Sequence, residues 1–297
     1  MRKLSTKKIL LLTAVFFIAV NTAGCKVPTN PDGSIKLIDI TTGFKEIMGT
    51  ENWFSAIFVW PMAQFLNKFG PQIGVIWAIG ILTLLVNAIL LSFTLKSTMA
   101  TQQMQLLQPE MEKIQRKYEG RDDQNSKMKQ AAEMQALYKK YDVNPFSMMA
   151  VQFIQFPVII AMYQAVQRST AVKQGSVMGL SLEMSPMAGI KAGFWGYIII
   201  FAIMGVTQYI SMSLPQKFAQ KRAEEEAAKH HKKAEITTNK QQKVMQYYMM
   251  AMIMVFGLMM PAAMTIYWIF FSIVNIAKTF ITQNMIDKKA KERNGRI

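Results

Sequence analysis

The chain of 297 residues contains one cysteine and two histidines. That scarcity excludes a disulfide framework, a Cys/His zinc site and the HExxH pattern of metalloproteases. Acidic residues are also few: 18 Asp and Glu stand against 34 Lys and Arg, for a net charge of +16. Charged residues make up 18% of the chain, below the roughly 25% of a soluble domain. Yet 51% of it is apolar and 25 residues are methionine. Charge and apolarity must then be segregated along the chain, which points to a membrane protein rather than a soluble enzyme.

Residues 1–24 read as an export signal. Arg2, Lys3, Lys7 and Lys8 precede the apolar run Ile9 to Val20, and the small residues Thr22, Ala23 and Gly24 follow before Cys25. This arrangement resembles a bacterial lipobox, in which the cysteine is lipidated, with palmitate for example, and becomes the mature N-terminus. Thr22 stands where Leu is usual, so a plain signal peptide or an uncleaved anchor stays open. In each case the next segment lies outside the membrane.

Crossing a hydrocarbon core of about 30 Å takes about 20 apolar residues in a helix. Uncharged windows of that length occur at Ile73 to Phe93, Phe146 to Gln167 and Phe194 to Leu214. The tract Val244 to Ala277 is 34 residues long and uncharged, suiting two short spans that turn near Pro261. Cationic loops stay on the cytoplasmic side. Lys96 to Pro145 carries nine Lys and Arg, Pro215 to Lys243 eight and Lys278 to Ile297 six, against four in Lys26 to Gln72 and three in Arg168 to Lys191. The expected chain is therefore an all-α integral membrane protein of five transmembrane helices, at 73–95, 146–167, 194–214, 244–260 and 261–282. Its N-terminus is outside and its C-terminus cytoplasmic, in a bacterial plasma membrane.

Four further segments complete the expected organisation. In the extracytoplasmic stretch 25–72, Trp53 to Asn67 is short, contains Pro61 and is rich in aromatics, as suits an amphipathic helix lying in the interface. Between spans one and two, apolar residues recur at helical spacing in Leu95 to Tyr118 and again in Met128 to Tyr141. The polar stretch Gly120 to Ser126 separates them, giving a cytoplasmic helical hairpin over 96–145 that Pro109 should kink. An external loop at 168–193 joins spans two and three. The basic loop 215–243 lacks a sustained apolar face and reads as mobile, with room for some helix; with the tail 283–297 it suits either ribosomal RNA or anionic lipid.

No uncharged window contains Asp, Glu, His or Cys, so intramembrane proteolysis has no catalytic group. No GxxxxGK[ST] loop occurs to bind nucleotide phosphates. Polar residues do recur in the spans: Thr83 and Asn87 four apart, Gln152 and Gln155 three apart, and Thr265, Trp268, Ser272 and Asn275 along one helical face. They either converge on a polar groove or hydrogen-bond between packed helices. Methionines including Met148, Met149, Met249 and Met252 offer adaptable client contacts or serve as apolar filler.

The order of these segments, with LQPEMEKIQRKY at 107–118, the charged turn, LYKKYDVNPF at 137–146 and PAAMTIYWIFFSIVNI at 261–276, resembles the YidC family of membrane protein insertases in its five-span form. The resemblance implies reception of nascent membrane proteins and their release into lipid without nucleotide hydrolysis or cofactor. Groove residues would be Thr83, Asn87, Gln152, Gln155, Thr265, Ser272 and Asn275, with Met148, Met149, Met249, Met252, Tyr267 and Trp268 against clients. It further implies membrane lipids as partners, with the ribosome and the general secretion channel as candidates, and no DNA. The family usually carries Arg where Asn87 stands. The groove is then expected to be uncharged, unless a lysine elsewhere, such as Lys96, supplies the field. A neutral groove also leaves open an assembly chaperone, or a paralogue restricted in its clients, that does not insert alone. A small channel or transporter is the rival from another class.

Overall fold

Prolines and glycines set many of the helix ends. The computed structural model describes residues 27–141, 143, 145–229 and 240–294. Cys25 lies outside the described residues. Helix α1 (Phe44–Thr50) leads into a π-helical turn at Ser55–Val59 and then α2 (Trp60–Ile73), with Pro61 in its first turn. Gly74, at φ 87°, ends α2 and admits α3 (Val75–Leu106). Pro109 does break the chain as expected: α3 stops at Leu106, and α4 (Gln108–Lys117) starts with that proline in its first turn, where the missing N–H costs nothing.

The hairpin partner α5 (Gln124–Lys140) begins inside the segment expected to be turn. Asp123 is the reason, since its carboxylate accepts from the Ser126 backbone N–H at 2.8 Å and caps the helix three residues early. Next come α6 (Pro145–Arg168), α7 (Thr170–Lys173), a two-residue antiparallel pairing of β1 (Ser176–Val177) with β2 (Leu180–Ser181), and α8 (Pro186–Lys191). That small ladder, with isolated bridges between Thr29 and Ile35 and between Ile38 and Ser169, departs from an all-helical reading. The chain ends with α9 (Gly196–Lys229), α10 (Lys240–Met259) and α11 (Ala262–Asn294).

Two helical stretches, Gly196–Lys221 and Ala262–Lys288, are long and apolar enough to cross a membrane, and Val75–Leu91 and Gln246–Met259 are shorter apolar ones. The loop after Pro215 is partly helical, because α9 continues through that proline to Lys229; residues 230–239 of the loop lie outside the described residues. One expectation needs correction here: the apolar stretches are not free of charge, because Lys278 sits inside that of α11.

The chain forms two compact units. Unit 1 comprises residues 1–86, 152–204 and 256–270. Its polar centre is Arg168, fully buried at the end of α6, whose guanidinium donates to both oxygens of Glu51 at 2.8 and 2.5 Å and to the Lys36 carbonyl at 2.8 Å. Glu51 retains 4% exposure, so both charges are desolvated and each depends on the other. One turn further on, buried Asn67 of α2 donates to the Ile38 carbonyl and accepts from Ser169, Thr170 and Ala171. These bonds pin the segment before α1 and helix α2 to the end of α6. The first N–H groups of α11, at Ala262 and Ala263, are taken by the carbonyls of Met184 and Leu182, which satisfies donors that a helix start leaves free.

Unit 2 comprises residues 87–151, 205–255 and 271–297, including the α4–α5 hairpin. There Met104, Leu107 and Val143 form a small core against Met111 and Tyr138. Across the hairpin, Lys117 and Tyr118 both donate to Glu133, at 2.6 and 2.8 Å. The Lys117 ammonium, and after it the Tyr118 hydroxyl, hold the Glu133 carboxyl below its ordinary value.

Two outcomes follow from these arrangements. Arg168→Ala, leaving Glu51 buried with only the Lys36 ammonium at 3.7 Å, should cost about 3 kcal/mol in unfolding of the detergent-solubilised protein, while Arg168→Met with Glu51→Leu should recover most of it. For Glu133, a lowered pKa gives stability that is present above the ordinary value of 4.5 and lost as pH falls through the lowered one. Hydrogen-exchange protection in α4 and α5, relative to the intrinsic amide rate at each pH, should therefore hold steady down to the ordinary carboxylate range and fall below it, and Glu133→Gln should flatten that dependence.

Candidate functional site

Helix α3 is inverted relative to a helix in water. Thr83 and Asn87 are buried, Asn87 to 3% exposure, while Leu84, Leu85 and Ile89 on the same helix are exposed, Ile89 to 69%. A soluble protein would pay heavily for that arrangement, whereas lipid favours it: apolar side chains lose nothing facing acyl chains, and polar ones need partners inside the protein. The same pattern holds in α9, where Gln208 is buried and Ile203, Val206 and Ile210 are exposed.

Within unit 2, polar residues of four helices meet in pairs. Lys278 of α11 is half-buried and donates to the Asn87 side-chain oxygen of α3 at 2.7 Å. Six residues earlier on α11, the fully buried Ser272 donates to Gln208 of α9, also at 2.7 Å. Asn275, half-buried, lies between Ser272 and Lys278 in the sequence, and its carbonyl accepts from Thr279. Thr282 likewise turns back onto the Lys278 carbonyl. Nearer the ends of these helices, Gln216 of α9 donates to Gln246 of α10 at 2.7 Å, and Phe218 meets Phe280 edge to face.

Within unit 1, Thr83 donates to the Ile79 carbonyl one turn back, so its hydroxyl is satisfied by its own helix. Thr265 reaches across the Pro261 turn to the Gly257 carbonyl at 3.0 Å, joining α10 to α11. Tyr267 is buried and interacts with Gln155 of α6, itself half-buried, and Gln164 on the same helix is buried too. Trp268 is also buried. Gly80 of α3 sits against Phe270 of α11 so closely that a β-carbon would come within 2.7 Å of the ring.

Of the residues singled out from sequence, Asn87 and Ser272 are thus each bonded to a polar partner from another helix, and Gln155 touches Tyr267. Thr83 and Thr265 spend their hydroxyls on backbone carbonyls. Of the methionines, Met249 is half-buried and Met252 exposed. The side chains of Met148, Met149, Gln152 and Lys96 lie outside the described residues. Two site residues were missed. Lys278 continues the face of Thr265, Trp268, Ser272 and Asn275 at the next step of three, and that face could have been extended to find it. Gln208, in the middle of an apolar helix, was a polar residue without a stated partner.

Together these features describe a multi-pass helical membrane protein whose intramembrane polar groups are held by one another. The 60Kd inner membrane protein family matches residues 65–290. Among relatives, a membrane protein insertase YidC of Mycoplasma capricolum is 36% identical over 272 residues, covering 85% of this chain and 69% of its own. Membrane protein insertase YidC 2 of Bacillus anthracis is 29% identical over 96% of this chain and 97% of its own. Membrane protein insertase MisCA of Bacillus subtilis is 26% identical over 79% of this chain and 80% of its own. The chain belongs to the YidC family of membrane protein insertases.

The Gly80 contact gives a test of the α3 to α11 packing. Gly80→Val should lower stability by about 1–3 kcal/mol through overpacking, and adding Phe270→Ala should restore it; both are read by thermal unfolding in detergent.

Proposed function

We propose that this protein moves hydrophobic segments of nascent membrane proteins from the cytoplasm into the bilayer, without nucleotide hydrolysis, by way of a polar groove between five membrane-crossing helices. The observation that carries the reading is the burial of polar residues in apolar helices, above all the Lys278–Asn87 and Ser272–Gln208 pairs. Intramembrane polar and ionisable groups are costly toward lipid and mark a path for polar cargo. A hydrated recess part-way across the membrane shortens the apolar barrier that a client's polar tail must pass, while the client's own apolar segment leaves sideways into lipid. The gain from burying that segment drives the step, so no fuel is needed.

In this reading the groove includes Thr83, Asn87, Gln152, Gln155, Thr265, Ser272 and Asn275, and flexible side chains such as Met249 and Met252 meet apolar clients of varied sequence. The N-terminus is outside, with Cys25 lipidated, and the C-terminus is cytoplasmic. The α4–α5 hairpin and the basic tail face the cytoplasm, where ribosome, secretion channel or anionic lipid would engage them. An assembly chaperone unable to insert alone is the second reading. It draws its weight from the neutral Asn87, and the Lys278 ammonium bonded to that residue supports the insertase reading instead.

Purified protein in lipid vesicles should insert a single-span client added during its synthesis, and expression of the chain should restore growth of a bacterium depleted of its own insertase. Vesicles that bind the client but leave it protease-accessible, with no growth rescue at matched membrane levels, would instead support the chaperone.

A further inference from the structure

A cavity of about 320 Å³ lies in unit 1 beside the α10–α11 turn, bounded by the end of α6, by α7, by the loop before α8 and by Pro261. Lys173 and Glu183 line it, with ammonium and carboxylate 2.7 Å apart. Both backbones are pinned. The Lys173 N–H donates to the Ser169 carbonyl, and the carbonyls of Leu182 and Met184, on either side of Glu183, take the first N–H groups of α11. The two side chains nevertheless stay open to solvent, at 27% and 53% exposure. An ion pair that exposed contributes little to holding a fold. A loosely held pair on a fixed backbone can open for a ligand without disturbing the structure around it.

The rest of the lining is amphipathic. Ser185 accepts from the Ala188 N–H at 3.3 Å, which leaves its own O–H free to donate, and Gln167 adds an amide. Val166 and Val172 are buried, whereas Met259 is 63% exposed. Helix α11 starts at Ala262, and its stretch to Lys288 is long and apolar enough to cross a membrane. The cavity therefore stands at one end of that stretch, at the depth of lipid headgroups.

We infer that this cavity binds the headgroup of a phospholipid that carries a primary amine, with the phosphate on Lys173 and the ammonium on Glu183. The inference goes beyond client insertion and does not depend on it. A phosphoethanolamine joins its opposite charges by a short ethylene linker, so it can enter between Lys173 and Glu183 and replace one ion pair by two. Its ammonium has N–H donors for the Glu183 carboxylate and the Gln167 oxygen, which the quaternary ammonium of choline lacks. A phosphoglycerol headgroup brings a phosphate but no cation for Glu183. Met259 offers the apolar side on which the acyl chains leave toward the bilayer. A client's tail varies in sequence and carries no constant pair of opposite charges, whereas a headgroup does.

The test is native mass spectrometry of the purified full-length protein, titrated in detergent with phosphatidylethanolamine, phosphatidylglycerol and phosphatidylcholine of identical acyl chains. The natural chain should retain phosphatidylethanolamine roughly fivefold better than either of the others. Glu183→Gln leaves an unpaired ammonium and should shift the preference to phosphatidylglycerol. Lys173→Gln should lower retention of phosphatidylethanolamine to that of phosphatidylcholine. Both variants should unfold at the temperature of the natural chain, as loss of an exposed pair allows. With p-benzoylphenylalanine in place of Gln167, irradiation in vesicles should crosslink phosphatidylethanolamine whether or not a client is present. Equal retention of the three lipids, or an ethanolamine preference unchanged in both variants, would overturn the inference. Crosslinking of that position to a stalled client in place of lipid would assign the cavity to the client and also overturn it.

Discussion

A polar side chain in hydrocarbon has no water to bond, and this constraint organises the membrane part of the molecule. On α3, Asn87 is buried and Ile89, two residues on, is among the most exposed apolar side chains. Such inversion is stable only where the protein itself supplies each polar partner. Several supplies are visible: hydroxyls of Thr83, Thr279 and Thr282 bonded to their own helices, Ser272 bonded to Gln208, and Lys278 bonded to Asn87. The first kind ties a side chain to its own helix. The second and third tie together helices that are far apart in sequence, with side chains able to exchange those bonds for bonds to water or to a passing polar segment. A packed bundle and a polar path can therefore be built from the same residues.

The buried ion pair in unit 1 answers the same constraint in another way. Arg168 and Glu51 spend their charge on each other and on the Lys36 carbonyl, and around them Asn67 satisfies three donors and one acceptor. This is a closed network, with the charges balanced and the geometry bidentate, and it fixes the segment before α1 and helix α2 to the end of α6. The Lys278–Asn87 pair is open by comparison, because one partner is charged and the other neutral. Closed and open polar sites suit different tasks: the first specifies one arrangement, and the second leaves binding capacity for something that is not part of the chain.

Much of the helical layout was legible in the sequence because it follows from local rules. Pro261 divides α10 from α11, Pro109 divides α3 from α4, and the apolar periodicity of the two hairpin arms yields α4 and α5 in contact. The exceptions also have local causes. Asp123 starts α5 early, and the residues after Pro215 continue as helix because a proline removes one hydrogen bond without forbidding the helix when its neighbours hold. What the sequence could not display was pairing between distant residues. Lys278 and Asn87 are separated by 191 positions, and Arg168 and Glu51 by 117. Lys278 was counted with the basic cytoplasmic stretch that ends the chain, although the helical spacing of Thr265 to Asn275 reaches it; its bond to Asn87 gives it a partner on another helix.

The central claim is that this polar face meets water rather than lipid, and thiol labelling measures that directly. With Cys25→Ser the chain has no other cysteine, so single cysteines at Asn275, Ile89 and Val206 can be compared in sealed inside-out membrane vesicles with a charged, water-soluble thiol reagent. The account predicts fast labelling of Asn275→Cys and little of Ile89→Cys or Val206→Cys, although the latter two positions are the more exposed in the protein alone. Labelling of Asn275→Cys as slow as that of the two apolar positions would contradict it, and would make the buried polar residues a means of packing helices and nothing more.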